Sequence, residues 1–140
     1  MTAGQRSLQP QRVTVTGVIH SEDRPVYELA AGNQLRGLAT PSLGSSEVAL
    51  WNHVLDPGAE VPLHWHDHDQ VIYVLSGSGR VIVRDGEVVV TRRDVVVAPA
   101  HIPHRVCAGP EEALDTLVVM PAALRSFRPD GSEMETPWHT

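Results

Sequence analysis

With 140 residues and 41% hydrophobic content, the chain is long enough to bury a core of its own and reads as one domain. A formal charge of -6, with 11 cationic side chains that are all arginine, argues against a nucleic-acid partner and leaves no lysine for Schiff-base or general-base chemistry. The single cysteine, Cys107, excludes an internal disulfide and a thiolate-rich zinc knuckle, and no apolar run approaches the roughly 20 residues that span a bilayer.

Residues 1–12 are polar and lack the apolar stretch of a signal peptide, so a flexible N-terminal segment, a cytoplasmic setting and no membrane partner are expected. From residue 13 the pattern is almost wholly β. Strands are expected at Val13–Val15, Glu47–Leu55, Val61–His66, Gln70–Leu75, Arg80–Arg84, Glu87–Thr91, Asp94–Ala98, His104–Cys107 and Leu114–Met120, most of them rich in Val, Ile and Leu. In the Arg80–Arg84 strand, alternation points Val81 and Val83 inward and Arg80, Ile82 and Arg84 outward. Asp56-Pro57-Gly58 and Ser76-Gly77-Ser78-Gly79 supply turns, and Asp85-Gly86 between two valine-rich runs predicts a type I′ hairpin. Pro121–Ser126, with proline at its first position, predicts one or two helical turns, and residues from about 128 onward read as a flexible end. Many short strands at this spacing imply an all-β sandwich or barrel over residues 13–122, followed by a tail over 123–140.

The run His64-Trp65-His66-Asp67-His68-Asp69-Gln70 carries the chemistry. Alternation along a strand places His64 and His66 on one face, where two imidazoles can close on one ion and a third from another strand, His104, completes the grip. Manganese, iron, nickel, copper and zinc all accept imidazole nitrogen, so one divalent transition metal is the expected cofactor. The spacing Gly58, five residues, His64, one residue, His66, three residues, Gln70, six residues, Gly77 resembles the first motif of the cupin superfamily, in which Glu usually stands at the place of Gln70. In the second motif Pro99 and His104 match, whereas Arg93, His101 and Ala108 stand where Gly, Gly and Asn are usual. The resemblance covers about residues 47–120. It implies a small double-stranded β-helix (jelly-roll) barrel that holds the metal inside with His64, His66, Gln70 and His104, a small-molecule substrate, and a homodimer paired through an outer sheet.

A neutral amide at position 70 leaves a divalent ion its full charge, which makes it a stronger Lewis acid toward a carbonyl or enolate oxygen. The set of three His and one Gln is similar to that of small cupins acting on carbonyl compounds, which inclines the reading to isomerase, cyclase or lyase chemistry. An iron dioxygenase using the same ligands and a non-catalytic binding or sensor module are the rivals. His53 is the candidate acid or base, against a hydrogen-bonded core histidine. His68 reads as a rim residue, with replacement of Gln70 as ligand the sharper alternative, and His101 as a strained rim residue at a glycine position. Trp51, Trp65 and Tyr73 read as pocket lining or, more simply, core or dimer packing. Arg36 is either an anchor for an anionic substrate or an ordinary exposed arginine. His104 and Cys107, three apart on a strand, face opposite ways and form no nucleophilic pair.

Overall fold

The computed structural model describes residues 17–139, so the expected strand Val13–Val15 and the polar segment before it lie outside the described residues. Twelve strands follow: β1 (Tyr27–Ala30), β2 (Asn33–Ala39), β3 (Val48–Leu55), β4 (Glu60–His66), β5 (Gln70–Ser76), β6 (Ser78–Val83), β7 (Gly86–Thr91), β8 (Val95–Ala98), β9 (His104–Ala108), β10 (Leu114–Pro121), β11 (Ser126–Phe127) and β12 (Glu133–Met134). They form two six-stranded antiparallel sheets in the orders β1-β2-β3-β10-β5-β8 and β12-β11-β4-β9-β6-β7. Crossovers between the sheets close the jelly-roll barrel expected from the sequence. No helix among the described residues is long and apolar enough to cross a membrane.

Alternation decides what faces the interior. Along β10, Leu114, Thr116, Val118 and Met120 are buried while Asp115, Leu117 and Val119 point away, and β3 buries Ala49, Trp51 and Leu55 in step with them. These side chains, with Leu35, Ile72, Val74, Val81, Val90 and Val106, fill the space between the sheets. Val81 is buried and Arg80 exposed, as the pattern on β6 predicts. The outside of the first sheet is apolar as well. Register sets Val119 beside Val71 and Val71 beside Val97, and in the next row Leu117 beside Tyr73 and Tyr73 beside Val95. Val95, Val97, Tyr73 and Val119 are all exposed.

Three local expectations are corrected. The hairpin between β6 and β7 turns at Arg84-Asp85, with Arg84 at φ 58° and Val83 paired to Gly86, rather than at Asp85-Gly86. Both registers keep Val81, Val83, Val88 and Val90 on one face, so the hydrophobic pattern does not separate them. Pro121–Ser126 is not helical: β10 runs through Pro121, a turn follows, and Ser126–Phe127 joins the second sheet beside β4. Beyond residue 128 the chain is tied to the barrel by β12, and Trp138, on a short 3-10 turn over Pro137–His139, is buried against Trp51 with ring centroids 5.3 Å apart. At the tight turn between β5 and β6, Gly77 has φ 86° and a Cβ there would lie 1.9 Å from the Ala113 carbonyl oxygen, so only glycine fits.

Candidate metal centre

β4 lies between β9 and β11, and the site grows from that position. A regular strand would point Val61 and His64 to opposite faces. The β4–β9 register instead slips between Val61 and His64, where Pro62 has no N–H to give to the ladder, and this bulge lets Val61 and His64 both face the barrel interior. Pairing then sets His64 opposite His104 and His66 opposite Ser126. The ring centroids of His64 and His104 are 4.3 Å apart, those of His64 and His66 4.8 Å, and those of His66 and His104 5.0 Å. One ring nitrogen of each histidine lies within 4.8 Å of one from each of the others, and all three residues are buried.

The second nitrogen of each ring is spoken for. His64 Nδ1 donates to the Pro62 carbonyl at 2.7 Å, His104 Nδ1 approaches the Ile102 carbonyl at 3.5 Å, and His66 Nδ1 bonds the Ser126 hydroxyl at 2.9 Å. A carbonyl accepts only from N–H, so Nδ1 carries the proton in His64 and His104, and Nε2 is left with a bare lone pair. Nε2 of His66 and of His104 are buried without a hydrogen-bond partner, an arrangement that costs about 1–3 kcal/mol per group unless something accepts the lone pair. Burial first, then repulsion from neighbouring His64, pushes the pKa of His66 and of His104 down to about 3. Burial likewise lowers that of His64. Neutral imidazoles with Nδ1 anchored and Nε2 turned inward are the donor set that a first-row divalent ion takes, so the residues fit a metal. Gln70 is buried and lines the same cavity as His64 and His104, and its amide N–H points to Met120 Sδ at 3.7 Å.

His53 lines the same cavity from β3. Asn33 donates its amide N–H to the Glu60 carbonyl at 3.1 Å and leaves Oδ1 to accept from His53 Nε2 at 2.8 Å. That contact fixes the proton on Nε2 and leaves Nδ1 as a base, with a pKa lowered to about 4 by burial and then by His64. The remaining candidates lie elsewhere. His68 is half exposed and pairs with Asp67 at 2.8 Å in a bend, so it stands at the rim. His101, at φ 67°, is exposed and donates its backbone N–H to the His66 carbonyl. Arg36 lies on the outer side of β2, opposite buried Leu35, and so faces away from the cavity. Cys107 contacts Glu60 at 3.9 Å on the side of β9 away from His104. Trp51 is core, Tyr73 lies on the outer face, and Trp65 stacks on Phe127 at 4.3 Å.

Ser126, which bonds His66, and Trp138, which lines the cavity, are site residues that sequence reasoning missed. The signal for Ser126 was the Ser-Phe pair opposite Trp65-His66, legible only once β11 is placed beside β4.

Known proteins resemble this chain in sequence and in fold. A family model described as a cupin domain matches residues 51–120. The 1-hydroxy-2-naphthoate 1,2-dioxygenase of Nocardioides sp. strain KP7 is 33% identical over 81 residues, which take in 53% of this chain and 21% of that enzyme. Auxin-binding protein 4 of Zea mays is 30% identical over 87 residues, 55% of this chain and 43% of that protein. The chain therefore spans less than half the length of these curated relatives. In structure it is similar to the polyketide cyclase RemF from Streptomyces resistomycificus, with a TM-score of 0.68 and 26% identity over 74% of this chain and 77% of that one.

The depressed histidines make the metal-free protein acid-sensitive. An unfolded chain binds protons on these rings near pH 6.5, whereas folded His66, His104 and His53 do not until about pH 3 to 4. Their stabilisation is complete above pH 7 and is lost as pH falls, by about 1 kcal/mol per histidine between pH 6 and 5. Urea unfolding of chelator-treated protein at pH 7, 6 and 5 checks this; stability that is flat across the range contradicts it.

Proposed function

The chain belongs to the cupin family, and on that premise we propose that it is a metal-dependent enzyme in which His64, His66, His104 and Gln70 hold one divalent transition metal against a small-molecule substrate. The observation that carries the proposal is the set of inward Nε2 atoms, two of them buried and unpartnered, on rings whose Nδ1 atoms are anchored. Bound there, the metal supplies Lewis acidity toward a carbonyl or hydroxyl oxygen. The chain's own residues do the rest. The apolar walls, among them Ile72, Val106 and Val118, exclude water, and the Nδ1 anchors orient the ligands. His53 accepts a proton at Nδ1 while Asn33 holds its Nε2–H. An anionic substrate beside His53 offsets the desolvation that depresses its pKa and makes it a better base. Isomerisation, cyclisation or bond cleavage of a small carbonyl or hydroxy compound is the reaction class this arrangement supports, in keeping with the similarity to a polyketide cyclase.

A second reading, dioxygen chemistry with iron at the same ligands, is supported by the 33% identity to a protein named 1-hydroxy-2-naphthoate 1,2-dioxygenase. Oxygen uptake that requires iron and is absent with zinc or manganese distinguishes it from the first. A protein that binds a small molecule without turnover with any metal is the third outcome, supported by the similarity to an auxin-binding protein.

Elemental analysis tests the ligand set. The double substitution His64→Ala with His66→Ala is expected to abolish metal retention while far-ultraviolet circular dichroism keeps its β signature; metal content equal to wild type overturns the assignment. Ser126→Ala removes the hydroxyl that holds His66 and is expected to weaken metal affinity by roughly 10- to 100-fold in a chelator competition, with Ser126→Thr restoring it. Unchanged affinity in Ser126→Ala contradicts the positioning role.

We infer in addition a homodimer. The apolar rows Val119-Val71-Val97 and Leu117-Tyr73-Val95 on the outside of the first sheet support it, because an exposed apolar sheet face of this breadth gains by burial against a second copy. Sedimentation equilibrium is expected to give twice the chain mass, and Val97→Arg to halve it; a monomer at micromolar concentration excludes the pairing.

A further inference from the structure

The cavity beside the three histidines is about 40 Å³, room for ~3 water molecules and too little for any carbonyl compound with a carbon skeleton of ordinary size. One wall is Trp138. Its indole is 5% exposed, meets Trp51 edge to face, and has its Nε1–H buried with no hydrogen-bond partner. An unpartnered buried donor is unfavourable by about 1–3 kcal/mol, a state that Trp138 shares with the core residue Trp51, so apolar burial and ring contact hold the indole in place against that cost. The indole is carried beyond β12 on one short 3-10 turn, Pro137–His139, rather than on a strand of either sheet.

The charge of the site is the second observation. Its lining comprises His53, His64, Gln70, His104 and Thr116 among apolar side chains, with no aspartate or glutamate. A divalent ion on four neutral ligands in such a cavity lacks any fixed counter-charge. The desolvation of a dication is costly, so the site favours a ligand that brings the missing negative charge with it. The shape left by a departing indole is flat, apolar and about two rings wide.

We propose that Trp138 is a built-in occupant of the substrate pocket, and that the substrate is a planar aromatic anion, a carboxylate or phenolate of one or two rings, that displaces it. This rests on the metal-centre reading above and narrows its substrate class. In the displaced state the ring of the ligand stacks where the indole lay, and its anionic oxygens face His64, His66 and His104.

The test uses the full chain loaded with zinc(II) and labelled with 5-fluorotryptophan, which reports Trp51, Trp65 and Trp138 separately, the Trp138 line being assigned with Trp138→Phe. On titration with 2-naphthoate the Trp138 resonance is expected to move to the position of a solvent-exposed indole, whereas cyclohexane carboxylate and neutral 2-naphthamide leave it in place. Calorimetry is expected to show about tenfold tighter 2-naphthoate binding by Trp138→Ala, because the ligand no longer competes with the indole. A Trp138 line that stays put while 2-naphthoate binds, or weaker binding by Trp138→Ala, overturns the occupant role. Binding of the neutral amide as tight as that of the acid, or no binding of the acid to wild type or to Trp138→Ala, overturns the anionic aromatic class. The displacement readout on wild type stands even where Trp138→Ala does not fold. Zinc content measured on the same samples separates these failures from failure of the metal centre: retained zinc with no displacement counts against Trp138 alone, and lost zinc against the ligand set.

Discussion

The structure depends on keeping three imidazoles neutral, buried and turned to one point. A histidine in an apolar interior is tolerable only if it is uncharged and if both ring nitrogens have something to do. Here the outward nitrogens meet two backbone carbonyls and one hydroxyl, whereas the inward ones of His66 and His104 have no hydrogen-bond partner and would be satisfied by a cation. The rest of the barrel serves that arrangement. The bulge at Pro62 turns His64 inward, the β4–β9 register delivers His104 opposite it, and the short strand β11 brings Ser126 to His66. β11 itself is fastened by the Trp65–Phe127 stack and by Asp67, whose carboxylate accepts the Arg125 N–H at 2.8 Å. That contact and the one to His68 hold the Asp67 carboxyl below its usual pKa despite the opposing effect of its partial burial, so it stays ionised and keeps the strap in place.

The sequence displayed most of this, and the failures have physical causes. Strand alternation alone put His64 and His66 on one face, and the valine-rich runs located β3 to β10 to within one or two residues at most boundaries. β1 and β2 were invisible because Asn33-Gln34-Leu35-Arg36-Gly37 has only one large apolar residue facing in; its place is decided by pairing with β3 and by the fit of Gly37 under Trp51, whose ring comes within 3.2 Å of where a Cβ would be. The Pro121–Ser126 stretch has good helix formers, yet β10 extends through Pro121 because its N–H is not required there, and tertiary pairing with β4 outweighs the propensity of two alanines and a leucine. Ser126 and Trp138 could not be read from local pattern, since each matters only through a partner 60 or more residues away.

The amide at position 70 ties these points together. With a carboxylate there, the centre would carry part of its own counter-charge and its cavity could rest closed around a few waters. With Gln70 in the lining and its amide N–H turned to Met120 Sδ, the interior offers a cation imidazole nitrogens but no neutralising charge. A metal held there would be bound less firmly than at a carboxylate site and would bind an oxygen anion more firmly, because the same uncompensated field would act on both. The apolar walls strengthen that field by excluding water, and the Trp138 indole, set edge to face on the Trp51 core and carried on a short turn outside the sheets, is apolar enough to close it. On the proposed reading, the departure at Gln70 and the burial of Trp138 are two halves of one design, a resting site that is closed by the indole and undercharged and that is completed by what it binds.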